Sequence, residues 1–287
     1  MSVVLSISSH VVRGTVGASL AGFVLQRIGH KVWTVPTVVW DHHPGFGRPS
    51  GLIPTGEQMA SLLADLRAPE QAVRTDMILT GYFANEGQIE AVADHVRALR
   101  DAGHSMCFVC DPVCGDAPGP YVPMDVLMEL HDTLVPLADI LTPNRHELGF
   151  LSGLPVTSNI EIVTAARALG RPMTLVTSAF SSRADHIANV LVAPDAVWRC
   201  ETYLHDAVPS GTGDLMTALF AGWIAAGIEP PVALGRAAAG VQCAIVATLK
   251  LGCDELAIVE AQRHFGDSAM TMGVHKLLAD GRASHGK

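Results

Sequence analysis

A chain of 287 residues that is 49% hydrophobic and only 16% charged can bury a substantial core, as one large α/β domain or as two smaller ones. Its formal charge of −9 and pI near 5.7 exclude a general nucleic-acid or anionic-membrane surface, while leaving room for a local phosphate site. The longest uncharged apolar run, from Leu215 to Ile228, is shorter than the roughly 20 residues of a membrane span, and no basic flank with a cleavage site marks a signal peptide, so a cytoplasmic protein is expected.

Residues 3–8 read as a strand, 17–28 as a helix stopped by Gly29, and 31–40 as extended chain broken by Pro36. Thr55-Gly-Glu-Gln58 has capping-box spacing for a helix reaching about Arg67. A strand over 76–80 follows, and Asn85 with Gln88 opens a helix that ends before Gly103. The alternation continues with a strand over 105–110, a helix around 123–134, a short strand over 139–141, a short helix over 144–151 and a strand over 173–177. This rhythm predicts an α/β fold with a central, mainly parallel sheet, helices on both faces, and ligands at the carboxyl ends of the strands.

Beyond residue 180 the pattern changes to strands over 187–192 and 197–203, then helices over 214–226, 232–247 and 254–263. With no repeat or linker in the chain, a single domain over 1–265 is expected, followed by a loosely attached tail over 266–287. Among the six cysteines, Cys107, Cys110 and Cys114 cluster in sequence. Cys107 and Cys110 sit three apart on one expected strand and point to opposite faces, so reduced, packed thiols are expected rather than a metal or redox site.

The segment with the clearest chemistry is Ser210-Gly211-Thr212-Gly213-Asp214, running straight into an apolar helix. Two glycines let the backbone approach a ligand, and the helix start aims unpaired N–H groups and a positive dipole end at an anion. Asp214 there is placed to take a proton from a hydroxyl, as phosphoryl transfer to an alcohol requires. A glycine turn with an Asp cap explains the same residues when they are taken alone.

Four further segments are expected as loops after strands. Ser8-Ser9-His10-Val11-Val12-Arg13-Gly14 leaves the first strand. Residues 37–47, with Val38, Trp40, His42, His43 and Phe46, offer aromatics to stack on a flat heterocycle and histidines to bond its edge. Ring recognition is favoured over zinc, because adjacent side chains on extended chain diverge and no third ligand is near in sequence. Asp111-Pro-Val-Cys-Gly-Asp116 presents carboxylates suited to Mg²⁺, which takes one or two of them plus nucleotide phosphates. Thr142-Pro-Asn144-Arg-His-Glu147 places Asn144 and Glu147 on one helix face, a spacing that a capping box explains equally.

Together with Gly81-Tyr82, these segments resemble in order and spacing the pyridoxal kinases of the ribokinase-like superfamily, over residues 3 to about 250. Gly-Thr-Gly-Asp and Asn-x-x-Glu are shared across the superfamily, whereas Ser-His-Val-Val and His-Pro-Gly-Phe-Gly point to its vitamin B6 branch. The resemblance implies a three-layer ribokinase-like fold and ATP-dependent, Mg²⁺-requiring phosphorylation of the 5′-hydroxymethyl of pyridoxal. Asp214 would be the base, and Gly211, Thr212 and Gly213 the turn that stabilises the transferred phosphoryl group. Ser9, Val38, Trp40, His43 and Tyr82 would line the substrate pocket.

The resemblance also places Asp111, Asn144, Thr177, Ser178 and Thr212 at the nucleotide and Asp111, Asp116 and Glu147 around the metal. A homodimer and stimulation by K⁺ are further implications. Pro44 stands where many relatives have Thr and Trp40 where several have Phe, so the preference among pyridoxal, pyridoxine and pyridoxamine stays open. A hydroxymethylpyrimidine kinase and a non-catalytic B6-binding carrier of the same fold are the competing readings.

Overall fold

The computed structural model describes residues 1–67 and 75–278. Its centre is a ten-stranded sheet in the order β12-β11-β10-β9-β8-β5-β4-β1-β2-β3. Six strands run parallel: β1 (Val3–Arg13), β2 (Lys31–His42), β4 (Met77–Thr80), β5 (Cys107–Cys110), β8 (Ile140–Leu141) and β9 (Met173–Ala179). Antiparallel strands finish both borders. β3 (Gly51–Leu52) lies on one, and β10 (His186–Ala193), β11 (Ala196–Tyr203) and β12 (Val274–Leu277) lie on the other. A separate hairpin joins β6 (Gly115–Asp116) to β7 (Gly119–Pro120).

Strand alternation sorts the core into two faces. Val4, Leu79 and Val109 pack under α1 (Gly17–Ile28), α7 (Thr212–Ala225) and α8 (Pro230–Leu251). Their neighbours Leu5, Ile78 and Phe108 face the other way, toward α2 (Gly56–Ala64), α3 (Glu86–Asp101) and α4 (Met124–Glu129). On that side α5 (Arg145–Ser152) and α6 (Asn159–Ala168) cover β9 and β10. The expected α/β architecture, a mainly parallel sheet between helical layers, is therefore present. Cys107 and Cys110 join opposite cores as free thiols, and burial pushes each up to about 12.

Among the described residues only α8 is long and apolar enough to cross a membrane, and most of its apolar window is buried against the rest of the chain, as in a core helix. The capping boxes at Thr55/Gln58 and Asn144/Glu147 form as expected, and Asn85 caps α3 by accepting from the Gln88 amide.

Three expectations are corrected. Residues 8–14 and 37–43 are mostly not loops: β1 continues to Arg13 and β2 to His42, paired through His10 with Val39, Val11 with Trp40 and Arg13 with His42. Pro36 does not break β2. It sits opposite Ser8, where a register irregularity between Ser8 and His10 spares a ladder hydrogen bond that proline cannot donate. The helix expected over 254–263 shrinks to α9 (Ile258–Ala261) and a 3₁₀ turn, while Asp254 and Glu255 lie in the preceding bend and pair with Arg13.

Within the segment expected as a tail, Val274–Leu277 forms β12 against β11, with Val197 opposite Leu277 and Cys200 opposite Val274. The last nine residues lie outside the described ones.

Gln88 is fully buried and binds two elements together. Its Nε2 donates to the carbonyls of Thr37 and Pro54, each at 2.7 Å, and its Oε1 accepts from the Ala84 amide at 3.0 Å. Gln88→Leu would leave these groups unpaired and is expected to destabilise the protein by about 3 kcal/mol, since each buried orphan costs roughly 1–3 kcal/mol. A denaturant titration of the variant checks this.

Candidate active site

Gly211 ends the loop before α7 with φ 102°, a conformation that favours glycine. A Cβ there would lie 2.3 Å from the Thr15 carbonyl oxygen, so the two chain segments touch backbone to backbone. Thr212 and Gly213 follow in the first turn, and Asp214 completes it as its acidic residue. The Asp214 carboxyl accepts from the Gly17 amide, but burial outweighs that bond and pushes its pKa up to about 6. A base poised there is ionised at neutral pH yet close enough to it to take and release a proton.

Ser9 reaches the same corner through the irregularity in β1. A Cβ on Gly17 would lie 2.3 Å from both the Ser9 Oγ and its carbonyl, so serine, glycine and carboxyl are stacked in sequence. The Trp40 ring on β2 and the Tyr82 ring, just past the end of β4, meet at 5.6 Å and 56°. The Thr37 hydroxyl donates to the Tyr82 carbonyl at 2.7 Å and fixes that contact. Val38 is fully buried in the sheet.

His43 lies farther out, in a cavity of about 200 Å³ shared with Gly14, Thr15, Val16, Phe46 and Ser210. Its Nδ1 accepts from the Gly45 amide at 3.0 Å, and burial lowers its pKa. The neutral ring therefore carries its proton on Nε2 and can offer it to a ligand. Arg13 closes this rim: it pairs with Asp254 at 2.7 Å and lies 4.3 Å from the centre of the Phe46 ring, while Thr15 donates to Glu255 at 3.1 Å.

Behind Asp214 lies an acidic cluster. Asp111 directly follows β5, 6% exposed, and accepts from the Thr217 hydroxyl at 3.0 Å. Burial first, then the charges of Glu147 and Asp214, raises its pKa well above the ordinary value. Glu147 accepts from the amides of Asn144 at 2.8 Å and Cys114 at 3.1 Å, yet burial pushes it up to about 8. It thus serves as the helix cap while its carboxyl joins the buried acidic cluster, and the Asn144 Nδ2 secures the β6 hairpin through the Gly115 carbonyl at 2.9 Å. Asp116 is exposed, with its Oδ1 accepting from the Ala117 amide at 2.8 Å.

Among the described residues no basic side chain forms an ion pair with Asp111, Glu147 or Asp214, and no three His, Cys, Asp or Glu side chains form a metal cage. Buried, mutually repelling oxygen donors without a counter-charge fit a hard divalent cation such as Mg²⁺, which completes its shell with phosphates and water. Thr177 joins this region through its amide, which donates to the Pro143 carbonyl at 3.0 Å beside Asn144. Ser178 has φ 57°, the one non-glycine residue among the described ones in the left-handed region, and such strain gathers at binding sites.

The structure thus brings Ser9 and Asp214 to the two sides of Gly17, Trp40 to Tyr82, and Asp111 to Glu147. Thr177 and Asn144 form a neighbouring group that lines neither cavity near Asp214. Sequence reasoning missed Gly17 and Thr217. Thr217 lies three residues after Asp214, on the same helix face and polar within an apolar run, which is the signal that marks it.

A family model described as phosphomethylpyrimidine kinase matches residues 57–258. The pyridoxal kinase PdxY of Corynebacterium diphtheriae is 34% identical over 280 residues, covering 96% of this chain and 99% of that protein. The pyridoxal kinase of Ovis aries is 34% identical over 77% of this chain and 76% of its own length. Among solved structures, the pyridoxal kinase of Leishmania donovani in complex with ADP and pyridoxamine superposes with a TM-score of 0.88 at 27% identity, covering 96% of this chain and 100% of that one. With its ribokinase-like fold, and with relatives of this length and similarity, the chain belongs to the pyridoxal kinases within the phosphomethylpyrimidine kinase family.

Proposed function

We propose that this chain is a kinase that transfers the γ-phosphoryl group of ATP to the 5′-hydroxymethyl of pyridoxal, giving pyridoxal 5′-phosphate. The observation that carries the reading is the Asp214 carboxyl, pushed by burial to about 6 at the amide-lined start of α7 and hydrogen-bonded to Gly17, on which Ser9 packs. As the substrate oxygen attacks the γ-phosphorus in line and the bond to the ADP oxygen breaks, Asp214 takes the hydroxyl proton. The amides of Gly211, Thr212 and Gly213 face the charge on the transferred group. Trp40 and Tyr82 hold the ring, with Val38, Ser9 and the His43 Nε2–H bounding its pocket.

Asp111, Thr177, Ser178 and Asn144 belong to the nucleotide end. Asp111 and Glu147, with Asp116 at the rim, would hold Mg²⁺. That ion, when bound, neutralises phosphate charge. The reading extends to K⁺ stimulation and a cytoplasmic homodimer that handles neither nucleic acid nor membrane, in keeping with the net charge of −9.

A coupled assay with pyridoxal, pyridoxine, pyridoxamine and hydroxymethylpyrimidine as acceptors, with and without Mg²⁺ and K⁺, tests the assignment. Preferred turnover of pyridoxal supports it, and a strong preference for the pyrimidine overturns it. ATP-dependent turnover of any of them rejects a pure carrier.

Thr217 donates to Asp111 at 3.0 Å and meets the Thr142 hydroxyl at 3.0 Å, which joins α7 to β5 and β8. Thr217→Val keeps the volume but removes the hydroxyl. Losing such a support around a metal ligand typically costs 10- to 100-fold in metal affinity, so the Mg²⁺ concentration for half-maximal rate is expected to rise about tenfold. KM for pyridoxal should hold, and Thr217→Ser should restore the Mg²⁺ response.

A further inference from the structure

Ser6 and Ser8 project from β1 on the face that packs under α7, in step with Val4. Ser6 is completely buried and Ser8 is 5% exposed. Neither hydroxyl, nor that of the buried Thr80, has a hydrogen-bond partner among the described residues, although all three residues line a small cavity whose other walls carry Asp111, Asp214 and Thr217. Three orphaned hydroxyls on residues that share a cavity with two carboxylates, none close enough to bond directly, is an arrangement that buried polar groups rarely leave unbridged.

The cavity measures about 10 Å³, close to the minimum of roughly 10–15 Å³ that one water needs, and its polar lining suits water rather than an apolar ligand. We infer that it holds a single fixed water molecule, which accepts from the Ser6 and Ser8 hydroxyls and donates to the carboxylates of Asp214 and Asp111. Its four bonds then saturate the water and satisfy both serines. Because β1 is held on both sides by its parallel neighbours β4 and β2, the water braces the end of the Asp214 side chain against an interior strand of the sheet. Ser6 and Ser8 are then positioning residues for the base. This last step rests on the proposed kinase reading, whereas the water site does not.

A crystal structure of the protein at 1.5 Å or better would decide the site itself. Density for one water within hydrogen-bond distance of both serine Oγ atoms is expected, and a dry cavity or a serine turned to a protein acceptor would overturn it. The positioning role is read from Ser6→Ala, Ser8→Ala and the double variant, checked for folding by thermal melting. The double variant should lose the water and lower kcat about tenfold, because small misplacements of a reacting group are costly, with KM for pyridoxal and ATP held. An unchanged kcat in a folded double variant rejects the brace. If the wild-type protein shows the water but phosphorylates no B6 alcohol, the kinase reading fails and the site stands.

Discussion

Asp214→Asn is expected to lower kcat by about 10²–10⁴-fold, the usual worth of a positioned general base, with KM for both substrates largely unchanged. The pH dependence identifies the residue more sharply. Burial pushes the wild-type carboxyl up to about 6 from an ordinary value of 3.8. Since the base works in its ionised form, kcat/KM should rise with pH and reach half its plateau near pH 6. In Asp214→Asn that acid limb should vanish, and a limb that persists would assign the base elsewhere.

Stability should move in the opposite direction. A carboxyl whose folded pKa is raised favours its protonated form in the folded state, so ionisation costs stability as pH climbs from 3.8 through 6. Asp214→Asn should therefore melt several degrees higher than wild type at pH 8, and about equally below pH 4. The gain in stability accompanies the loss of turnover, as expected where an active-site group is held in an unfavourable setting.

The second large effect is expected at the neighbouring glycine. Gly211→Val places a branched side chain at φ 102° and its Cβ 2.3 Å from the Thr15 carbonyl oxygen, a backbone atom that cannot swing aside. Either the turn opens or residues 15–17 shift, and both outcomes move amides away from the transferred group. Removing one such donor costs about 10²–10³-fold in kcat, so a loss of at least that size is expected. Steady-state kinetics on a variant shown to be folded by circular dichroism check it. Gly213, exposed and with no protein atom around its Cβ position, should accept alanine without disturbing the turn.

What the sequence made legible was mostly local. Thr55 with Gln58 and Asn144 with Glu147 complete their capping boxes because the partners lie three residues apart and need nothing from elsewhere. The Gly-Thr-Gly-Asp turn likewise carries its own geometry. By contrast, the extension of β1 through His10 to Arg13 was hidden, because a polar stretch becomes a strand only when a partner supplies the ladder, and residues 39–42 of β2 lie about thirty positions away.

The same holds for the supports of the site. Gly17 holds Asp214, and Thr217 holds Asp111, across element contacts that no single segment encodes. Glu147 shows how both readings of one motif can be true. The Asn144 bond that caps α5, with a second from the Cys114 amide, also holds the Glu147 carboxyl in place behind Asp214.

Both borders of the ten-stranded sheet are blunt. On one side β3 contributes two residues, and on the other β12 contributes four, with His275 and Lys276 exposed. Edges this short, one of them carrying an exposed lysine, offer little template for a foreign strand. Clipping the chain ahead of Val274 would strip that guard from β11 and uncover a run of free amides and carbonyls beside Val197 and Cys200, turning a well-behaved protein into one prone to stack on itself.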